Sequence, residues 1–324
     1  MTNINEAKSS NKIKQLDAVT ADFLDGFDAI FSMIATLSIP EQRSAIKNMF
    51  YIPESSLEHI AKTENKEISG RHGPIKIRIF TPKIDDNLPV IVFFHRGGWV
   101  YGSIEESEVI CRKLANETGA IVVAVSYRLS PEHKFPIPLE DCYDATKWIV
   151  ENATTFSGNS QKVIISGESA GGNLAAGVAL MIQDLNQFSV IGQLLLNPIL
   201  SSDLDIEAYE NSPDKSLISL QNMQFFLASY LSSPQEGENP YVSPIKSENL
   251  FKLSPAFIVT SEHDALKHEG ASYAEALQKA GILVQLKCYP DVIHGFLNLP
   301  LAGAVKKRSC RGYCCLGEEF DKVV

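Results

Sequence analysis

The chain has 324 residues, 44% of them hydrophobic, and a formal charge of −10. That length can bury a substantial core in one α/β domain with additions. The acidic balance, with no basic cluster against it, excludes phosphate-backbone binding and so a nucleic-acid partner.

No apolar run approaches membrane-spanning length, so no stable membrane insertion is expected. The first residues, Met1-Thr2-Asn3-Ile4-Asn5-Glu6, are polar and lack the apolar core of a signal peptide. Cys111, Cys142 and Cys288 lie among core-like stretches and read as buried thiols in a reducing compartment, which predicts a cytoplasmic location.

Residues 1–15 read as disordered. Residues 16–50 carry helical periodicity, with Phe23, Phe27, Ile30, Phe31, Ile34 and Leu37 as an apolar stripe that Pro40 ends. Residues 75–81 read as a strand, followed by a Pro/Asp/Asn turn near 82–88. Leu88 to Phe94 is another strand, and His95-Arg96-Gly97-Gly98-Trp99 follows it. Adjacent glycines let the backbone approach a ligand and aim N–H groups at one point. Ile121 to Val125 and Gly192 to Leu196 are further buried strands. Strands alternating with helices imply a parallel sheet.

Lys162-Val163-Ile164-Ile165-Ser166 leads into Gly167-Glu168-Ser169-Ala170-Gly171 and then a helix-like run from Gly172. Strand, Gly-x-Ser-x-Gly, helix is the layout of a nucleophile elbow. A serine hydroxyl needs a base, an orienter for the base and donors for the oxyanion. Residues 203–246 break the strand–helix rhythm with a polar start and an aromatic helix around Phe225, Phe226, Tyr230 and Leu231. Ala256 to Thr260 reads as a buried strand with Asp264 just beyond it, the place where functional residues gather in open parallel sheets. Asp264 is the candidate acid, ahead of Glu262 and Asp291. His294, in a turn after the strand-like run Val284 to Tyr289, is the candidate base, ahead of His263 and His268. The order serine, acid, histidine is that of an α/β-hydrolase. Gly97, Gly98 and the N–H of Ala170 are the candidate oxyanion donors.

These motifs together resemble the hormone-sensitive-lipase-like family of α/β-hydrolases, the bacterial esterase branch that includes arylacetamide-deacetylase relatives. The likeness spans about residues 75–300. Its other landmarks are Ser126 to Pro136, Asp141-Cys142-Tyr143-Asp144-Ala145, Glu269-Gly270 and His294-Gly295-Phe296. The resemblance implies an α/β-hydrolase fold, a mostly parallel central sheet flanked by helices with a helical cap. It implies Ser169, Asp264 and His294 as triad and Gly97, Gly98 and Ala170 as oxyanion hole. His95 becomes a brace for the oxyanion loop, and Glu132 and Asp141 become scaffold residues. Segments 1–50 and 203–246 become the cap, and 51–202 with 247–324 the core. The implied activity is hydrolysis of short- to medium-chain carboxylic esters, small-molecule substrates that need no metal or organic cofactor. Amidase or deacetylase chemistry by the same triad is the alternative within enzymes. A catalytically impaired ligand-binding relative is the alternative outside them, and the presence of His294 counts against it. A dinucleotide site is discounted because Ser169 stands where its fingerprint needs glycine. The resemblance also implies a homodimer through a sheet edge, for which the sequence gives no independent sign.

Two departures stand out. The family pattern is His-Gly-Gly-Gly, and Arg96 replaces the first glycine. Were φ positive there, arginine would add strain of about 1–2 kcal/mol, reducing activity or reshaping the acyl pocket without abolishing catalysis. The second departure is Arg308 to Gly317, which holds three of the six cysteines and has no helical period. No spaced Cys/His set accompanies them, so zinc is not expected. Read one base over with suitable codons, this stretch encodes a good helix former, which predicts a frame slip that the coding DNA would reveal.

Overall fold

The computed structural model describes residues 16–215 and 217–299; the start expected to be disordered and the tail expected to carry a frame slip lie outside the described residues. The strands are β1 (Lys62–Gly70), β2 (Gly73–Thr81), β3 (Leu88–Phe94), β4 (Ile121–Ser126), β5 (Gly158–Glu168), β6 (Gly192–Leu196), β7 (Ala256–His263) and β8 (Val284–Ile293). The helices are α1 (Ala18–Ile34), α2 (Ile39–Met49), α3 (Glu108–Thr118), α4 (Ile137–Asn152), α5 (Ala170–Leu185), α6 (Ile206–Asn211), α7 (Leu220–Tyr230) and α8 (Lys267–Lys279). Among the described residues no helix is long and apolar enough to cross a membrane.

One eight-stranded sheet runs in the order β1-β2-β4-β3-β5-β6-β7-β8. β1 and β2 pair antiparallel, as do β2 and β4; every later pairing is parallel. Side chains alternate across the sheet because a strand has a period of two. Val90, Val92, Phe94, Val123, Val125 and Ile165 enter one core with α4, α5 and α8. Their neighbours Ile91, Phe93, Val122, Ala124 and Ile164 enter the other with α3. Such strands are apolar on both faces, as parallel strands covered by helices must be. Each fully buried Val, Ile, Leu or Phe stabilises the fold by about 1.5–3 kcal/mol.

The N-terminal stripe folds as two helices. Asp17 caps α1 by accepting the Thr20 N–H at 3.1 Å. Pro40 does not merely stop a helix: it sits in the first turn of α2, behind Ser38, which forms a capping box with Glu41. Leu24, Phe27 and Ile34 are buried, whereas Ile30 (48%) and Leu37 (43%) are exposed, so the expected stripe is narrower than its sequence period. Leu24 packs with Ile293 and Leu299, which lays α1 over the turn that carries His294. Cys111 and Cys142 are buried; Cys288 is exposed, contrary to expectation, on β8, which among the described residues is the last strand of the sheet.

Candidate active site

β5 runs two residues further than its apolar sequence core and delivers Ser169 to the first turn of α5. Ser169 has φ 58° and ψ −118°, a region L residues avoid. Its neighbours must be small because the backbone nearly crosses itself. A Cβ on Gly167 would lie 2.1 Å from the Gly171 carbonyl oxygen, and one on Gly171 would lie 2.0 Å from that of Phe94. The turn is fastened on the β6 side. The Ser169 N–H donates to Leu196 O at 2.9 Å, and its carbonyl accepts from Asn173 at 3.0 Å. Asn173 donates through its side chain to the carbonyls of Ile199 and Val242.

Asp264 and His294 meet at the ends of β7 and β8. His294 Nδ1 donates to Asp264 Oδ2 at 2.8 Å, and both residues are buried. The same carboxylate accepts from the Leu266 N–H at 2.9 Å and from Asn197 Nδ2 at 2.9 Å. Burial by itself would lower the His294 pKa. The charge and hydrogen bond of Asp264, with Glu168 and Asp214 also facing the ring, outweigh it and raise the pKa above 6.5. The rivals take other partners: the Asp291 N–H donates to Glu262 at 2.8 Å. Ligating atoms of Glu262, His263 and Asp291 lie within 4.8 Å of one another, the one such grouping among the described residues, and it is separate from the Asp264–His294 pair. His268 lies exposed on α8, where desolvation and the neighbouring Lys267 charge lower its pKa. The expected loop around 290–293 belongs to β8: the strand continues to Ile293 through a bulge with Asp291 at φ 57°.

The expected oxyanion loop leaves β3 and lies against the Ser169 turn. Gly97 and Gly98 have φ of 122° and 59°, which suits residues without a Cβ. The Gly97 carbonyl accepts from Val100 and Tyr101. Among the described residues no acceptor takes the N–H of Gly97, Gly98 or Ala170. His95 is buried, its Nδ1 hydrogen-bonds to Arg96 O at 2.9 Å, and its ring stacks on Tyr127 at 4.1 Å. Burial pushes the His95 pKa down to about 4, so the ring is neutral. Trp99 also has positive φ, 60°, and stacks on Tyr230 of α7 at 4.4 Å.

Arg96 does not have positive φ, so the expected strain is absent. Its guanidinium lies 4.9 Å over the Phe50 ring, and its Nε is 3.7 Å from Glu168 Oε2.

Helices α2 and α7, far apart in sequence, pack over this loop. Arg43 of α2 donates to the carbonyls of Val100 (2.8 Å) and Ser130 (2.7 Å) and grips Glu132 with two nitrogens. Tyr101 donates to Gln42. The Phe226 ring of α7 lies flat on Gly98, 2.3 Å from where a Cβ would stand, and Tyr101 meets it edge-on. Asp141 is likewise structural in its contacts, holding the Arg128 side chain and N–H. Sequence reasoning missed Asn197. Its only signal is an Asn-Pro step directly after a buried strand.

The chain is similar over its length to known proteins. A profile of the family described as alpha/beta hydrolase fold matches residues 91–298. The chain therefore belongs to that family, as the resemblance to its hormone-sensitive-lipase-like branch implied. Carboxylesterase NlhH of Mycobacterium tuberculosis is 32% identical over 308 residues, covering 93% of this chain and 95% of the relative. An arylesterase of Saccharolobus solfataricus is 31% identical, covering 74% and 79%. Among solved structures, a hyperthermophilic esterase from the archaeon Pyrobaculum calidifontis superposes with a TM-score of 0.86 at 33% identity, covering 95% of this chain and 99% of that one.

Proposed function

We propose that this chain hydrolyses carboxylic esters of short to medium acyl length through an acyl-enzyme on Ser169. The observation that carries the reading is the buried Asp264–His294 hydrogen bond of 2.8 Å. It stands at the C-terminal edge of the same sheet that presents Ser169 in a strained elbow. The carboxylesterase and esterase relatives support the same reaction class.

His294 takes the Ser169 proton as the hydroxyl attacks the ester carbonyl. Asp264, itself steadied by Asn197 and Leu266, fixes the ring so that Nδ1 carries its proton and Nε2 is the base. The N–H groups of Gly97, Gly98 and Ala170 hold the oxyanion, and loss of any one donor costs about 3–4 kcal/mol of transition-state stabilisation. The imidazolium returns the proton to the leaving alcohol, and water, activated by the same base, releases the acid. No metal or organic cofactor enters these steps. Segments 1–50 and 203–246 act as the cap, with Phe226 and Phe31 beside Tyr101 of the loop facing the apolar part of the substrate. We place the enzyme in the cytoplasm, in keeping with the unpaired buried thiols of Cys111 and Cys142, and as a homodimer through the open edge at β8.

The test is hydrolysis of p-nitrophenyl esters from acetate to dodecanoate by wild type and Ser169→Ala. Activity that peaks at short or medium chains and falls by a factor on the order of 10⁶ in the variant is expected. A variant as active as wild type would remove Ser169 from the reaction.

A further inference from the structure

The reaction gives no task to Glu168, yet its carboxylate is buried directly before the nucleophile. Such a charge is costly unless a cation faces it. Burial pushes its pKa above 4.5, while Arg96 first, then His294 and Asn298, pull it down. Of these groups only Arg96 carries a permanent positive charge.

Arg96 is placed to reach several parts of the site at once. Its Nε is 3.7 Å from Glu168 of the elbow. Its Nη1 lies 2.9 Å from where a Cβ on Gly295 would stand, so the guanidinium fills the space beside the histidine turn. Its plane covers Phe50 at the end of α2. It also faces the partly buried Glu106, whose main-chain carbonyl accepts from Asn298.

We propose that Arg96 is a positioning residue. Its guanidinium ties the oxyanion loop to the elbow and the histidine turn, and it is the counter-charge that keeps Glu168 a carboxylate behind the nucleophile. This rests on the esterase reading and assigns a role to the residue that departs from the family's glycine. The second consequence reaches the base. His294 faces the negative charges of Asp264, Glu168 and Asp214, and Glu168 faces Arg96, His294, Asn298 and the Cys111 thiol. Without Arg96, buried Glu168 takes up a proton, and one of the charges that favour the imidazolium disappears. The acidic limb of kcat/KM then moves to lower pH. If Glu168 kept its charge unaided, loss of a nearby cation would move the limb to higher pH instead, so the direction of the shift is diagnostic.

The experiment compares kcat, KM and the pH profile of kcat/KM on a p-nitrophenyl ester for wild type, Arg96→Met, Arg96→Lys, Glu168→Gln and the Arg96→Met/Glu168→Gln pair. In Arg96→Met, kcat is expected to fall about 10- to 100-fold, KM to change much less, and the acidic limb to move down by about half a pH unit or more. Glu168→Gln moves the limb the same way, Arg96→Lys leaves it near wild type, and in the Gln background Arg96→Met no longer moves it. An acidic limb in Arg96→Met that stays in place or moves up overturns the proposal, as does a shift that persists unchanged in the Gln background. Should Arg96→Met fail to fold, Arg96→Gly is measured by the same criteria. A wild type inactive on every ester would sink the esterase reading itself, whereas an active wild type with an unmoved Arg96 variant sinks only this assignment.

Discussion

The proposed acid–base half of the site and its proposed oxyanion half are held by different physics. Asp264, His294 and Ser169 issue from the ends of β7, β8 and β5, and their partners Leu196, Asn197 and Leu266 come from the sheet edge or the turn beside it. Sheet register fixes that half. The oxyanion loop has no such register beyond Phe94. It is pinned from above by side chains of α2 and α7: Arg43 on Val100 and Ser130, Gln42 on Tyr101, Phe226 on Gly98 and Tyr230 on Trp99. On the proposed reading, the cap is not only a roof over the substrate. It also helps aim the proposed oxyanion donors, so damage to it should appear in kcat as well as in KM.

The largest effect belongs to the acid–base half. Asp264→Asn would hold the His294 ring in the wrong tautomer and lower kcat by about 10⁴-fold with little change in KM. In wild type the raised His294 pKa requires the acidic limb of kcat/KM to have its midpoint above 6.5, since the base must be neutral. A midpoint below 6.5 would mean that burial, not Asp264, governs the ring. Next comes Gly98→Ala in the oxyanion half. Its Cβ would enter the Phe226 ring and demand positive φ, so kcat is expected to drop about 10²- to 10³-fold. Gly98→Ala combined with Phe226→Ala gives space back but not the backbone conformation. Partial recovery in the pair separates the two causes.

Arg43→Met is milder and sharper as a test of the comparison. Arg43 is about a quarter exposed and Glu132 about half, so the ion pair itself counts for little. The two carbonyl contacts are the greater loss, about 1–2 kcal/mol in all. If α2 helps aim the loop, kcat falls several-fold along with a small drop in Tm. An unchanged kcat with only a lower Tm would return the cap to a purely covering role.

What the sequence made legible follows the same division. β3, β4, β5, β6 and β7 are continuous apolar runs because both faces are covered, and their ends place Ser169 and Asp264 without further information. β1 escaped notice because Lys62–Gly70 is an edge strand that buries only Ile68, so no hydrophobic alternation marks it. Asn197 escaped because its bond to Asp264 joins residues 67 apart, and nothing local announces it. The glycine pair 97–98 was visible, but the ring on Gly98 was not, since it comes from a helix far along the chain. Arg96 was legible as a departure and misread in consequence: strain was expected where the backbone is ordinary and the side chain makes the contacts.

The smallest effect probes how the acid–base half is braced. Glu269 at the start of α8 accepts the N–H groups of Leu200 (2.7 Å) and Ser201 (3.0 Å), tying α8 to the segment that follows Asn197. Burial pushes its pKa from 4.5 up to about 8, with the two backbone donors opposing and Asp264 and Asp205 adding to the rise. The folded state therefore binds this proton more tightly than the unfolded chain. Its contribution to stability is complete below about 4.5 and is lost as pH rises toward 8. Glu269→Gln keeps an oxygen for both N–H groups and removes the titration. Between pH 5 and 8 the Tm of wild type should fall relative to that of Glu269→Gln, while kcat on a p-nitrophenyl ester changes less than about twofold. Parallel Tm curves would show that the backbone donors hold Glu269 ionised throughout, and the brace would then be a buried carboxylate rather than a carboxylic acid.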